Sequence, residues 1–101
     1  MYDRLRQWIK FERQMHLHIQ TYTREQYGNP EGQEQVDGFD SVDCWKNMQR
    51  YFNRRRANTR GNIEKLRDLI KLAHYAQLAY DKLRVELGEP DVYQNHLEDK
   101  A

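Results

Sequence analysis

Residues 62–87 read NIEKLRDLIKLAHYAQLAYDKLRVEL, and the spacing of their apolar side chains predicts one long helix. The apolar positions alternate between intervals of three and four, which is typical of a helix face packed against another helix. Asn62 is a favoured N-cap residue, Gly88 suits the left-handed position after a helix, and Pro90 blocks continuation. We call the periodic face the heptad stripe; it comprises Leu66, Leu69, Ala73, Ala76, Tyr80, Leu83 and Leu87.

The chain is short and highly charged, which limits its core. Its 101 residues fit one domain, with 38% apolar and 33% charged residues. The net charge of +1 gives no global attraction to nucleic acid or to a membrane. A single cysteine excludes an internal disulfide, and no apolar run is long enough for a signal peptide or a membrane span. We therefore expect a cytoplasmic protein with no membrane contact.

Two further helices are predicted, over residues 2–27 and 41–57. Asp40 or Ser41 can cap the second one, because their side-chain oxygens accept backbone N–H groups. Cys44 fits a small core position in its first turn. The first helix is predicted to present Leu5, Trp8, Met15, Ile19 and Tyr22 on one face. The second helix is predicted to bury Val42, Trp45, Met48 and Phe52.

These elements predict an all-α fold, a small antiparallel helical bundle of two long helices and one shorter middle helix. Residues 1–88 would form a single helical domain that includes an acidic loop over 28–40, and residues 89–101 would form a polar C-terminal tail. Long helices around a thin core leave apolar surface uncovered, so we also expect a homo-oligomer.

The charges are unevenly distributed along the chain. Residues 28–43 carry five acids and no base, whereas residues 42–67 carry eight Lys or Arg against two acids. Gly61 and Asn62 open a helix whose free N–H groups attract anions, and arginine side chains match phosphate oxygens in pairs. This pattern predicts a phosphate site. The alternative interpretation is that the arginines pair with the acidic loop or simply solvate a helix.

Motifs for metal or covalent chemistry are weak. Glu64 and Asp68 share one helix face at a spacing that Mg²⁺ could use, but no second acidic pair accompanies them, and they fit charges that complement the helix dipole. His16 and His18 point to different sides of a helix. The chain has no phosphate-binding loop and no nucleophile elbow. We predict no catalytic residue, no metal site and no cofactor; Mg²⁺ is a candidate cofactor only if the protein is an enzyme.

Residues 44–68 resemble a family of small helical proteins of tailed phages. The shared pattern is Cys44-x-x-Asn47-x-x-Arg50-Tyr51-x-x-Arg54, a short basic turn, and Ile63-Glu64-x-Leu66-x-Asp68. Most members of that family have no known function, and some are described as nucleotide kinases. The resemblance singles out Asn47, Arg50, Tyr51, Arg54 and Glu64.

Residues 72–76, LAHYA, are similar to a Leu-Ala-Asn-Tyr-Ala helix of phage nucleotide-modification-associated, MazG-like domains. Lys71 stands where that pattern has an acidic residue. The departure removes a metal ligand that the resemblance would imply, and it counts against hydrolysis.

The predicted function is that of a small phage-type protein that binds a nucleotide or another phosphorylated small molecule, in nucleotide metabolism or counter-defence. It would act in the host cytoplasm if phage-encoded. Arg50, Arg54 and Arg60 would hold phosphate, and Tyr51 would stack on the ligand or hydrogen-bond to it. The full predicted ligand-binding set is Asn47, Arg50, Tyr51, Arg54, Arg55, Arg60 and Asn62.

Three alternatives stay open. The first is a nucleotide kinase or pyrophosphohydrolase, and the second is a protein–protein inhibitor of a host factor. The third is nucleic-acid binding by the arginines, against which the near-zero net charge counts. We favour a binding protein over an enzyme.

Overall fold

The computed structural model describes residues 3–26, 38–56 and 60–93, and the side chains of all of these except 22–26. It contains α1 (Asp3–Gln26), α2 (Ser41–Asn53) and α3 (Asn62–Leu87). The described residues include no strand, so the all-α prediction, with two long helices and a shorter middle one, is confirmed. None of these helices is long and apolar enough to cross a membrane.

The bounds of α3 match the sequence prediction, but its N-cap does not. The cap is Gly61, with φ 104°, and Asn62 is the first helical residue. Only glycine adopts this backbone conformation without strain, so the backbone rather than an Asn side chain makes the turn into the helix. At the other end Gly88 takes the left-handed conformation, with φ 68°, and its N–H donates to carbonyls of the last turn, as predicted.

Asp40 caps α2. Its carboxylate accepts the Asp43 N–H at 2.8 Å, and the Asp43 carboxylate accepts the Asp40 N–H at 3.0 Å. The bond from the Asp43 N–H lowers the pKa of Asp40 below its usual value. The helix ends at Asn53 rather than at residue 57, and residues 54–56 form a turn. The predicted end was wrong because helical propensity alone does not show where the chain must turn.

Three contacts define how α2 packs on α3. Ser41 donates its N–H and its hydroxyl to Glu86, at 3.2 and 2.5 Å. The rings of Tyr51 and Tyr75 stack, and beyond the end of α2 Arg54 reaches Asp68. The start of α2 thus lies beside the end of α3, and the two helices run in opposite directions along their shared face.

This arrangement corrects the predicted buried face of α2. Val42, Trp45 and Phe52 are all more than half exposed, and only Met48 of that set is half-buried. The buried residues are instead Ser41, Cys44 and Tyr51, packed toward Ala79 and Asp68 of α3. Cys44 is fully buried, which confirms the prediction of a small core position.

The helix α1 contacts α3 much less extensively than α2 does. A cavity of about 370 Å³ lies between α1 and α3, with Leu17 and His18 on one side and Ile63 and Ile70 on the other. Near the start of α1, Leu5 and Trp8 are half exposed, and Trp8 stacks on Phe11 at 5.6 Å. The predicted apolar face of α1 is therefore only partly covered at its start.

Several predictions lie wholly or partly outside the described residues. These are residues 2 and 27 of the first helix, 28–37 of the acidic loop, 57–59 of the turn and 94–101 of the tail. The homo-oligomer and the division into one domain and a tail stay predictions.

Candidate phosphate-binding site

The centre of the candidate site is Tyr51, in the last turn of α2. Only 6% of Tyr51 is exposed, and its ring centroid lies 6.0 Å from that of Tyr75 on α3. Its hydroxyl accepts a hydrogen bond from Nη2 of Arg50 at 3.1 Å. Little of the ring is left for a bound base, so Tyr51 acts in this structure as a fixed support for neighbouring cations.

Three cations surround that ring. The guanidinium carbons of Arg50 and Arg54 each lie 5.0 Å from the Tyr51 centroid, and Nζ of Lys71 lies 5.8 Å from it. All three distances are within the range of about 6 Å over which a cation is attracted to an aromatic ring. We call Arg50, Arg54 and Lys71 the cation cluster.

One carboxylate of the described residues pairs with the cation cluster. Asp68, whose side chain is 8% exposed, accepts a hydrogen bond from Nη2 of Arg54 at 2.6 Å. Within residues 3–26, 38–56 and 60–93, no ion pair forms at Arg50 or Lys71. The cluster therefore keeps excess positive charge beside a partly buried surface, an arrangement that attracts anions.

An open cavity of about 410 Å³ lies against two members of the cluster. Lys46, Gln49, Arg50, Asn53 and Arg54 line it, so its walls offer mainly N–H donors. Its volume falls within the usual range for small-molecule sites, roughly 300–1,000 Å³. We call it the basic cavity.

The structure brings some of the predicted ligand-binding residues together and separates others. Arg50, Tyr51 and Arg54 share the cation cluster and its ring. Asn47 lies one turn earlier and donates its amide to the Asp43 carbonyl at 2.9 Å. The Arg55 guanidinium lies 4.0 Å from the Phe52 ring centroid and donates to the Phe52 carbonyl, on the exposed side of α2.

The start of α3 already carries a negative charge. Glu64 accepts from Arg67 and lies 3.6 Å from Nη2 of Arg60. Asn62 is exposed and provides no side-chain cap. Arg60 therefore pairs with Glu64 at the start of α3, beside the ion pair between Glu64 and Arg67.

Glu64 and Asp68 bind different arginines. Glu64 faces Arg60 and Arg67, whereas Asp68 faces Arg54. Over the described residues, no group of three or more His, Cys, Asp or Glu side chains is arranged to hold a metal ion. Both carboxylates thus have a structural partner where the sequence suggested a weak metal pair.

The remaining titratable groups in the core favour neutral forms. Burial raises the pKa of the Cys44 thiol, so this cysteine is not poised as a nucleophile. Burial, and next His18, lowers the pKa of His74, and the two imidazoles meet edge to face at 6.2 Å between α1 and α3. Burial, followed by Lys71 and Arg67, lowers the pKa of His18.

Comparison with protein-family models, curated proteins and solved structures found no match.

Sequence reasoning missed part of this site. From the sequence, Lys71 is only a departure from a motif, and Asp68 is only a charge that complements the helix dipole. The signal that could have grouped them is the spacing of Asp68, Lys71 and Tyr75, which places them on neighbouring positions of one helix side. That side faces the arginines of α2 only because α2 packs in the direction described above.

Proposed function

We propose that this protein binds a nucleotide or another phosphorylated small molecule in the basic cavity. The observation that supports this is the cation cluster, three positive charges around one buried ring with a single carboxylate paired to it among the described residues. A phosphate group carries about two negative charges and three acceptor oxygens, which would balance the excess.

The members of the cluster have different roles in the proposal. Arg50 is exposed and lines the basic cavity, so its guanidinium would contact phosphate oxygens directly. Arg54 is held in place by Asp68 and would present its outer N–H groups to the ligand. Lys71 would add a flexible point charge from α3.

The sequence resemblance supports a biological setting for this binding. Similarity to small tailed-phage proteins and to phage nucleotide-modification domains suggests a role in nucleotide metabolism or counter-defence, in the host cytoplasm. Because the carboxylates nearest the cluster pair with arginines, we favour binding or sequestration over turnover.

A thermal-shift screen tests the proposal. The purified protein is melted with mono-, di-, tri- and cyclic nucleotides and with pyrophosphate, with and without Mg²⁺. A ligand at 100 times its Kd should add about 2.7 kcal/mol of stability. A flat panel would refute the proposal.

The variant for this screen is Arg50→Glu, with Arg13→Glu as its matched control. Both arginines are exposed helix residues, but Arg13 lies on α1 and is not a member of the cation cluster. We expect Arg50→Glu to abolish the shift and Arg13→Glu to keep it. Arg54→Glu is a poor choice, because it would set a second carboxylate against buried Asp68 and destabilise the fold.

The same screen separates the other candidates. A shift that requires Mg²⁺ would favour a kinase or pyrophosphohydrolase, whose turnover should then disappear in Glu64→Gln. Nucleic-acid binding would instead show steep salt dependence, with log K falling by about 0.9 for each duplex phosphate neutralised per unit log salt.

A protein partner is the second candidate, supported by the first turns of α1. Leu5 and Trp8 are at least half exposed there, and Ile9 is 39% exposed. Apolar surface of this kind is typical of contact sites. This candidate predicts that a host protein copurifies with the tagged chain and is lost in Trp8→Glu, while nucleotides give no thermal shift.

A further inference from the structure

The heptad stripe of α3 is largely uncovered. Leu66, Leu69 and Leu87 are each at least 60% exposed, and Tyr80 and Leu83 are 40% and 37% exposed. The two alanines between them are half-buried. An apolar face with regular three-four spacing over 22 residues is thus present on the surface of α3.

The direction in which each side of α3 points explains why most of the stripe is exposed. The residues that face α2 include Asp68, Tyr75 and Glu86, and each stripe residue beside them comes one position later in the chain. One residue rotates a helix by about 100°, so the stripe lies on the side of α3 that adjoins the side facing α2. The helix α1 approaches from another side, through Arg67, Ile70 and His74, and it reaches the stripe only at Leu66, which lines the cavity between α1 and α3.

The exposed area is large enough for a stable interface. Trp45 of α2 lines a cavity with stripe residues Tyr80 and Leu83, and Phe52 lines a neighbouring cavity with Trp45. Trp45 and Phe52 are 57% and 53% exposed. Together with Val42 and the five large stripe residues they make eight apolar side chains, each more than a third exposed. At roughly 100 Å² each they offer about 800 Å², one partner's share of a standard interface.

We propose that the stripe is covered by the stripe of a second copy of this chain, with the two α3 helices antiparallel about a two-fold axis. In one antiparallel alignment every alanine faces a large side chain. Ala73 then lies opposite Leu83 of the second copy, Ala76 opposite Tyr80, and Leu69 opposite Leu87. Alternation of small and large residues across the axis lets the helices approach closely and interlock.

The charges at the two ends of α3 favour the antiparallel direction. Residues 54–67 carry six Lys or Arg and one acid, whereas residues 84–93 carry three acids and one base. In the antiparallel dimer the acidic end, with Glu89, lies beside Lys65 of the second copy, whereas Asp91 is already paired with Arg84 of its own chain. A parallel dimer would set the two basic ends against each other, which is unfavourable.

A groove beside the stripe would receive the second copy. Trp45 and Met48 of α2 and Ala76, Ala79, Tyr80 and Leu83 of α3 line a cavity of about 230 Å³. In the proposed alignment the Tyr80 ring of the second copy lies against Ala76, at the mouth of this groove. The indole of Trp45 then covers it from the side.

The first experiment is sedimentation equilibrium on the full chain from about 1 to 200 μM. We expect a dimer that dissociates at the low end, Leu69→Glu to weaken the dimer at least 100-fold, and Val85→Glu to leave it intact. Val85 is the matched control, because it is a 68% exposed apolar residue of α3 outside the stripe. A monomer at every concentration overturns the proposal, as does equal weakening by both variants or unchanged dimerisation in Leu69→Glu.

Cross-linking tests the direction of the helices and does not depend on the folding of Leu69→Glu. Leu69→Cys and Leu87→Cys are mixed and oxidised, with the unmodified chain as the control for buried Cys44. We expect the mixed 69–87 disulfide to dominate over the 69–69 product. A dominant 69–69 disulfide, or no interchain disulfide, overturns the antiparallel dimer. Neither experiment uses a ligand, so the outcome is independent of phosphate binding.

Discussion

We expect the loss of Arg54 and the loss of Asp68 to lower the free energy of unfolding by different amounts, although both break the same ion pair. The carboxylate side chain is 8% exposed, whereas the guanidinium side chain is 36% exposed, and their hydrogen bond measures 2.6 Å. At an effective dielectric constant of about 20, two charges about 4 Å apart attract by roughly 4 kcal/mol. Because a third of the arginine side chain meets water, we discount this attraction by half, to a coupling free energy of about 2 kcal/mol.

The two single substitutions should therefore differ. Arg54→Met removes the cation from a carboxylate that stays buried, and we expect it to cost about 3 kcal/mol. Asp68→Asn leaves an arginine that can turn to solvent while a hydrogen-bond acceptor is kept, so we expect a cost of about 1.5 kcal/mol. The double variant should cost about 2 kcal/mol less than the two single costs together.

The assay is urea unfolding followed by far-ultraviolet circular dichroism at pH 7 and one protein concentration. Arg67→Met is the control, because the Arg67 side chain is 48% exposed where it pairs with Glu64 and its loss should change stability by less than about 0.5 kcal/mol. A coupling below about 0.5 kcal/mol, or a larger loss in Asp68→Asn than in Arg54→Met, would refute the reasoning.

Three further predictions concern other parts of the fold. Gly88→Ala should cost about 1 kcal/mol in urea unfolding because of its left-handed backbone, and Gly88→Asn should cost less. Burial, and next His18, lowers the pKa of His74, so the unfolded chain binds more protons than the folded chain below pH 6.5. The stability that neutral His74 contributes is therefore fully present above pH 6.5 and is lost as the pH falls below it. The melting temperature should therefore drop between pH 7.5 and 5.5, and the drop should shrink in His74→Asn; an undiminished drop would contradict this assignment. Cys44 should react with a thiol reagent at pH 8 at least about tenfold more slowly in the native protein than in urea, and equal rates would show that the thiol is accessible.

The sequence predicted the helices better than it predicted their packing. Both bounds of α3 and the cap at Asp40 follow from local chemistry that periodicity and capping preferences describe. The buried face of α2 does not, because Ser41 and Arg54 bond to Glu86 and Asp68, far along the chain. These long-range polar contacts select a face that apolar spacing does not indicate.

The heptad stripe also shows that apolar spacing does not predict which helices pack together. Its spacing correctly identified an apolar face on α3, and the structure shows that α2 packs on the adjoining face instead. A pattern indicates that a surface favours burial, but it does not name the partner that covers it. For the same reason the sequence does not indicate that Lys71 belongs to the candidate site, because its position beside Tyr51 depends on how α2 packs on α3.

The contacts at the two ends of α2 fix how this helix is aligned along α3. Ser41 and Arg54 are thirteen positions apart and engage Glu86 and Asp68 at the same time. If α2 slid along α3 by one helical turn, about 5.4 Å, both contacts would break together. A shifted alignment of the two helices would therefore keep neither of these stabilising contacts. One residue inserted between them would rotate one end by about 100° relative to the other. The packing therefore constrains the number of residues in α2 more tightly than it constrains which apolar residues the helix carries. We expect α2 to tolerate substitution of its exposed side chains far better than an insertion or a deletion.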